Sequence, residues 1–124
     1  TYRRARKQWR TARENPTAAC LHEWRKQTKY FLYQLQALAR GGLVVPDDLI
    51  ANLDELADLL GKQHDLAELL ARLVGAEPRG PRHKLERAAT RRAEKLARRA
   101  LRLGDRLFRA RPRDARKTFA ATLG

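Results

Sequence analysis

The stretch LHEWRKQTKYFLYQL, residues 21–35, carries His22, Arg25, Lys26, Lys29 and Tyr33. At about 100° per residue these five side chains fall within about 100° of arc on one flank of a helix, and the acidic Glu23 points away. Such a row suits the recognition of a polyanion. Arg offers paired N–H donors that match phosphate oxygens, Lys a compact point charge, and His and Tyr one donor each. The composition agrees, because 28 Lys and Arg against 14 Asp and Glu leave a net charge of +14, which points to a polyanionic partner or an anionic surface.

The same arrangement recurs in two other helical segments. Arg3, Arg6, Arg10 and Arg13 gather on one flank of the first. Arg92, Lys95, Arg99, Arg102 and Arg106 gather on one side of another, with Glu86, Thr90, Glu94, Ala97 and Leu101 on the opposite side. Residues 1–42 hold 10 basic and 2 acidic groups, residues 43–77 hold 2 and 8, and residues 78–124 hold 16 and 4. A solvated face explains any one of these flanks, with long stems covering the core edge. Soluble faces, however, mix both signs, whereas like-charge neighbours cost a helix a few tenths of a kcal/mol per pair. Repeating that cost on three helices predicts a ligand that cancels it.

The elements that must position these rows are helical. Pro16, Gly41-Gly42, Pro46, the stretch from Gly75 to Pro81, and Pro112 punctuate the chain, and the segments between them have helical periodicity. The first helix is expected over Tyr2 to Arg13, burying Tyr2, Ala5, Trp9 and Ala12. Thr17 is the expected N-cap of a second helix to about Ala39, stopped by Gly41 in the left-handed conformation. Its inward stripe is Leu21, Trp24, Thr28, Phe31, Leu35 and Leu38. A third helix opens at Pro46-Asp47-Asp48, with acids complementing its dipole, and buries Leu49, Leu53, Leu56 and Leu60. It either kinks at Gly61 to His64 and restarts at Asp65, three residues before Glu68, or runs unbroken to Val74. A fourth runs from about Arg82 to Ala110 with Leu85, Ala89, Leu96, Ala100, Leu103 and Leu107 inward, and a short last helix starts near Pro112. The fold class expected is all-α, an up-and-down bundle of four to five helices in one domain.

Several functions are disfavoured. No HExxH, paired cysteines or nucleophile beside a histidine base is present, and the acids of residues 43–77 form no compact cluster for Mg²⁺, so no enzyme, metal or cofactor is expected. His22 and Cys20 diverge by about 200° on a helix, too far for a shared metal. Cys20 is the only cysteine, so no internal disulfide forms and a reducing, cytoplasmic setting is the simpler expectation. Neither a membrane span nor a secretory signal is visible, and the basic helices have no apolar face left for a membrane surface. Non-specific nucleic-acid binding is the alternative function. Against it, Trp9, Trp24 and Phe31 belong to apolar stripes rather than to stacking platforms. There is no methionine, even at position 1, so the chain is expected to be a piece of a longer polypeptide.

The segments YRRARKQWRTA, LHEWRKQTKYFLY, LDELADLLGKQHDL and LGDRLFRARP occur in the order found in CHAD domains, the conserved histidine α-helical domains. His22-x-x-Arg25-Lys26-x-x-Lys29 followed by Tyr33 resembles the family's histidine-bearing basic motif, and Gly61 to Asp65 resembles its second signature. One departure is Leu32, where the family often has a basic residue before the tyrosine. The resemblance implies binding of inorganic polyphosphate in a basic channel, and association with polyphosphate granules. It also implies that this chain is the second, C-terminal bundle of a two-bundle domain, with the N-terminal half as a partner. The expected polyphosphate-binding residues are Arg3, Arg6, Arg10, His22, Arg25, Lys26, Lys29, Tyr33, Arg92, Lys95, Arg99 and Arg102, lining one surface. His22 reads equally as a donor to phosphate or as a partly buried histidine satisfied by a neighbouring helix. Tyr33 reads as ligand-facing or as a cap on the core edge. His64 and Asp65 are expected to serve the kink, and His83 has no evident role.

Overall fold

Two threonines start the first two helices. The side chain of Thr1 accepts from the Arg4 amide and that of Thr17 from the Cys20 amide, each at 3.2 Å, satisfying donors that a helix start leaves unpaired. The computed structural model describes residues 1–73 and 79–115. Within them lie α1 (Tyr2–Glu14), α2 (Ala18–Arg40), α3 (Asp47–Arg72) and α4 (Pro81–Phe108), and no strand. Residues 112–115 add one helical turn. The rest of the helix expected there, and the expected end of α3 at Val74, lie outside the described residues.

α2 stops differently from expectation. Gly41 has φ −77°, and the positive φ of 92° belongs to Gly42. The Gly42 and Leu43 amides donate to the Ala39 and Leu38 carbonyls at 3.1 Å, a Schellman motif whose left-handed residue is one position later. The expected alternatives for α3 resolve to a single unbroken helix through Gly61 and His64. Asp47 and Asp48 occupy its first turn, where they face the positive end of the dipole.

Each helix packs on its neighbours in the chain, and α1 also packs on α4, so the four stand in the ring order of an up-and-down bundle. The core takes Ala5, Trp9 and Ala12 from α1, Leu21, Trp24, Phe31 and Leu35 from α2, Leu53, Leu56 and Leu60 from α3, and Leu96, Ala100, Leu103 and Phe108 from α4. Two expected positions differ. Leu38 and Leu85 are 43% and 48% exposed, each near a helix end. Leu32, which stands where the family often has a basic residue, is buried at 3%: it lies on the side of α2 that meets α3, and this explains why a charge is absent there.

The tightest point is Gly104 of α4. Both indoles, Trp9 and Trp24, lie over it, and Phe108 packs one turn further on, with ring centroids 6.3 and 6.4 Å from theirs. A Cβ on Gly104 would stand 2.5 Å from Trp24 Cζ2 and 2.8 Å from Trp9 Cδ1. Alanine normally gains about 1 kcal/mol over glycine inside a helix, but overpacking a rigid core costs about 1–3 kcal/mol or more. With two rings in the way, the clash wins. Gly104→Ala should therefore lower unfolding stability by about 2 kcal/mol or more in denaturant titration. Gly42→Ala, with no atom within 4 Å of its Cβ, should lose about 1 kcal/mol from backbone strain alone. An unchanged midpoint for Gly104→Ala would show that the indoles do not pack on it.

Candidate anion-binding groove

With Trp24 directed at α4, helical geometry turns residues about 100–160° further round α2 toward α3. These are Arg25, Lys29 and His22. The half-buried His22 ring stacks on the His64 ring of α3, centroids 4.3 Å apart and planes inclined by 20°. His64 Nε2 in turn lies 3.2 Å from Glu68 Oε1. One turn along, the Arg25 guanidinium lies against Gly61, whose Cβ position would be 3.4 Å from Arg25 Nε. Residues 22 and 64, and 25 and 61, share one antiparallel register. His-x-x-Arg on α2 therefore meets Gly-x-x-His on α3.

The polar atoms at this crossing are only partly used. His22 Nδ1 and Arg25 Nε are buried and have no hydrogen-bond partner among the described residues. Two buried donors or acceptors without a partner cost about 1–3 kcal/mol each in an otherwise dry site. Gly61, where a kink is one of the two expected alternatives, instead makes room for the guanidinium, and His64, expected to serve that kink, is the ring partner of His22. The sequence signal for His64 was the matching three-residue spacing on two antiparallel helices.

Beyond Arg25 the α2/α3 seam opens into a groove of about 510 Å³. Arg25, Lys29, Leu32, Tyr33 and Gln36 form its α2 wall, and Ala51, Asp54, Glu55, Ala57 and Asp58 its α3 wall. The groove thus has one cationic and one acidic wall. Lys29 Nζ lies 5.9 Å from the centroid of Tyr33, which is half exposed. Lys26 turns outward to Glu23 at 3.4 Å, so Glu23 does not point away from the row as expected. Asp58 is paired with Lys62 at 3.1 Å. Along α3 the groove-lining acids Asp54, Glu55 and Asp58 give way to Gly61 and His64, and Glu68 beyond them is engaged by His64, so free carboxylates oppose an anion more at the Tyr33 end than at the His22/Arg25 end.

The remaining expected residues lie elsewhere. Arg3, Arg6 and Arg10 line hollows between α1 and the end of α4, together with Lys7, Arg13, Arg109 and Arg111. Arg6 Nε donates to the Phe108 carbonyl at 3.0 Å, and Arg13 stacks on Trp9 at 4.7 Å. Nearby, the Tyr2 hydroxyl donates to the Ala110 carbonyl. Burial pushes its pKa above the ordinary value, partly opposed by Arg6. Arg92, Lys95, Arg99 and Arg102 are exposed on α4 without an ion-pair partner among the described residues. The expected single surface is therefore divided among the α2/α3 groove, the α1/α4 seam and the outer face of α4. Among the described residues no group of three or more His, Cys, Asp or Glu is placed to hold a metal, and no helix is long and apolar enough to cross a membrane.

The Gly61 notch is testable by volume. A methyl there meets Arg25 at ordinary contact distance and gains about 1 kcal/mol of helix propensity. Gly61→Ala should keep or slightly raise the unfolding midpoint, whereas Gly61→Leu should displace Arg25. A loss above about 1 kcal/mol for the alanine variant would mean that the guanidinium is more tightly enclosed than this packing implies.

No curated protein and no solved structure matches the chain. The family model of the CHAD domain matches residues 1–74, which take in α1, α2 and α3 and with them both halves of the His22/His64 crossing. The histidine and arginine of α2, the glycine and histidine of α3 and the match across more than half of its length together make this chain a member of the CHAD-domain family.

Proposed function

We propose that this chain binds inorganic polyphosphate without catalysing a reaction, and that the His22/Arg25 end of the α2/α3 groove is where the phosphates bind first. The observation that carries the reading is the crossing itself. Arg25 Nε and His22 Nδ1 are buried there without a hydrogen-bond partner among the described residues, at the point where α3 presents a glycine instead of a carboxylate. A linear chain with a negative charge on every unit matches a row of cations, and needs no base reading. Family membership supports the same ligand. In this reading Arg25 and Lys29 contact successive phosphates, Lys26 exchanges Glu23 for a phosphate oxygen, and His22 donates beside them. The protein works in the cytoplasm, associates with polyphosphate granules, and is completed by the other helical half of its domain.

Loose nucleic-acid binding draws on the same phosphate attraction. Against a specific form of it, Trp9, Trp24 and Phe31 are buried in the core, which removes them as stacking platforms.

Lys26→Glu/Lys29→Glu should markedly weaken binding of labelled long-chain polyphosphate, removing this groove's share, while leaving the helical circular dichroism and melting midpoint intact, since both side chains are at least partly exposed. For the unaltered chain, three cation contacts predict that log affinity falls against log salt with a slope of roughly −2 from this groove alone. Unlabelled polyphosphate should compete far better than single-stranded or duplex DNA at equal phosphate concentration. A folded double variant that binds as before would falsify the groove assignment, and equal competition by all three polyanions would favour charge attraction without selectivity.

A further inference from the structure

The α2/α3 groove uses only part of the positive charge. In the ring order of the bundle, the α1/α4 seam lies diagonally opposite. Its hollows share Arg6, Arg10 and Pro112 with each other and no residue with the α2/α3 groove. Among the described residues, six arginines and Lys7 line these hollows with two carboxylates, Glu14 and Asp105.

Capping the end of α4 does not account for so many cations. The helix end is equivalent to about half a negative charge, and the Phe108 carbonyl already receives Arg6. Asp105 is spent on Arg109 at 2.6 Å. Arg3, Arg10 and Arg111 remain exposed and without a hydrogen-bonded or ion-pair partner among the described residues. Meanwhile Arg6, Arg13 and Arg109 are each held, by a carbonyl, an indole face and a carboxylate. Side chains held in advance lose little freedom when a ligand arrives, and the guanidinium fork matches phosphate oxygens.

We infer that the α1/α4 seam is a second anion site, and that one chain therefore holds two polyphosphate segments at once. The ligand class rests on the polyphosphate reading; the existence of a separate site does not. Two helix diameters, about 20 Å, separate the outer faces of the bundle, so a short oligophosphate in one groove does not reach the other. A long chain does, either by wrapping round one protein or by leaving each protein to bridge two strands. Bridging turns a binding module into a cross-linker, because each second contact forms at high local concentration.

Tripolyphosphate distinguishes the two grooves. Calorimetric titration at fixed ionic strength should give two sites per chain. Arg10→Glu/Arg111→Glu should leave one, and Lys26→Glu/Lys29→Glu should leave the other. With long-chain polyphosphate, light scattering should report large assemblies for the unaltered protein and only small complexes for either double variant. Arg10→Gln/Arg111→Gln, with circular dichroism alongside, guards against a folding defect from charge reversal. One site lost only with the lysine reversals overturns the second site and leaves the proposed groove standing. One site lost only with the arginine reversals overturns both the two-site inference and the placement in the α2/α3 groove. Absence of tripolyphosphate binding together with unchanged scattering overturns both readings.

Discussion

The rotation of α2 about its own axis governs everything that the basic residues can do. It is set by Trp24, fully buried over the bare backbone of Gly104. An indole is large and rigid, and a glycine one helix away admits it in one orientation only. Once Trp24 faces α4, the residues 100–160° round the helix must meet α3, and those are Arg25, Lys29 and His22. The charged row is thereby aimed by an apolar contact on the other side of the same helix.

The register between α2 and α3 then decides which parts of the row remain available. Leu32 buries against α3, and its neighbours Lys29 and Tyr33 face Asp54, Glu55 and Asp58 across the groove. Part of the +14 charge is consequently screened from within, and an anion entering at the Tyr33 end meets carboxylates first. At the Gly61/His64 end the carboxylate, Glu68, is already engaged by His64. A row that is uniform in sequence is therefore graded in space.

Much of this was legible in the residues. Helical punctuation by Thr17, Pro46 and Pro81, the inward Trp9 and Trp24, and the basic flank of α2 follow from local spacing, because caps and 3.6-residue periodicity act within one helix. What was not legible depends on contact between helices. Gly61 has the composition of a kink, and only the arrival of Arg25 makes it a notch. His64 looked like part of a turn, and only the register makes it the partner of His22. Leu38 and Leu85 keep the right phase yet stand near helix ends, 43% and 48% exposed. The same limit applies to charge: the phase of a flank on its own helix does not say that the flanks of α1 and α2 open on opposite seams.

That division bears on why so unbalanced a surface persists. Had all the cations faced one channel, their mutual repulsion would have concentrated at one point of the fold. Distributed over two seams and the outer face of α4, they stand further apart, and at the ~8 Å screening length of physiological salt the charges on one seam scarcely feel those on the other. The cations of α1 and α2 are also partly held by local contacts, Arg25 by Gly61, Lys26 by Glu23, Arg6 by the end of α4 and Arg13 by Trp9. The bundle thus tolerates its charge without a ligand, while the donors left unpaired at the His22/Arg25 crossing and along the α1/α4 seam keep a reason to bind one.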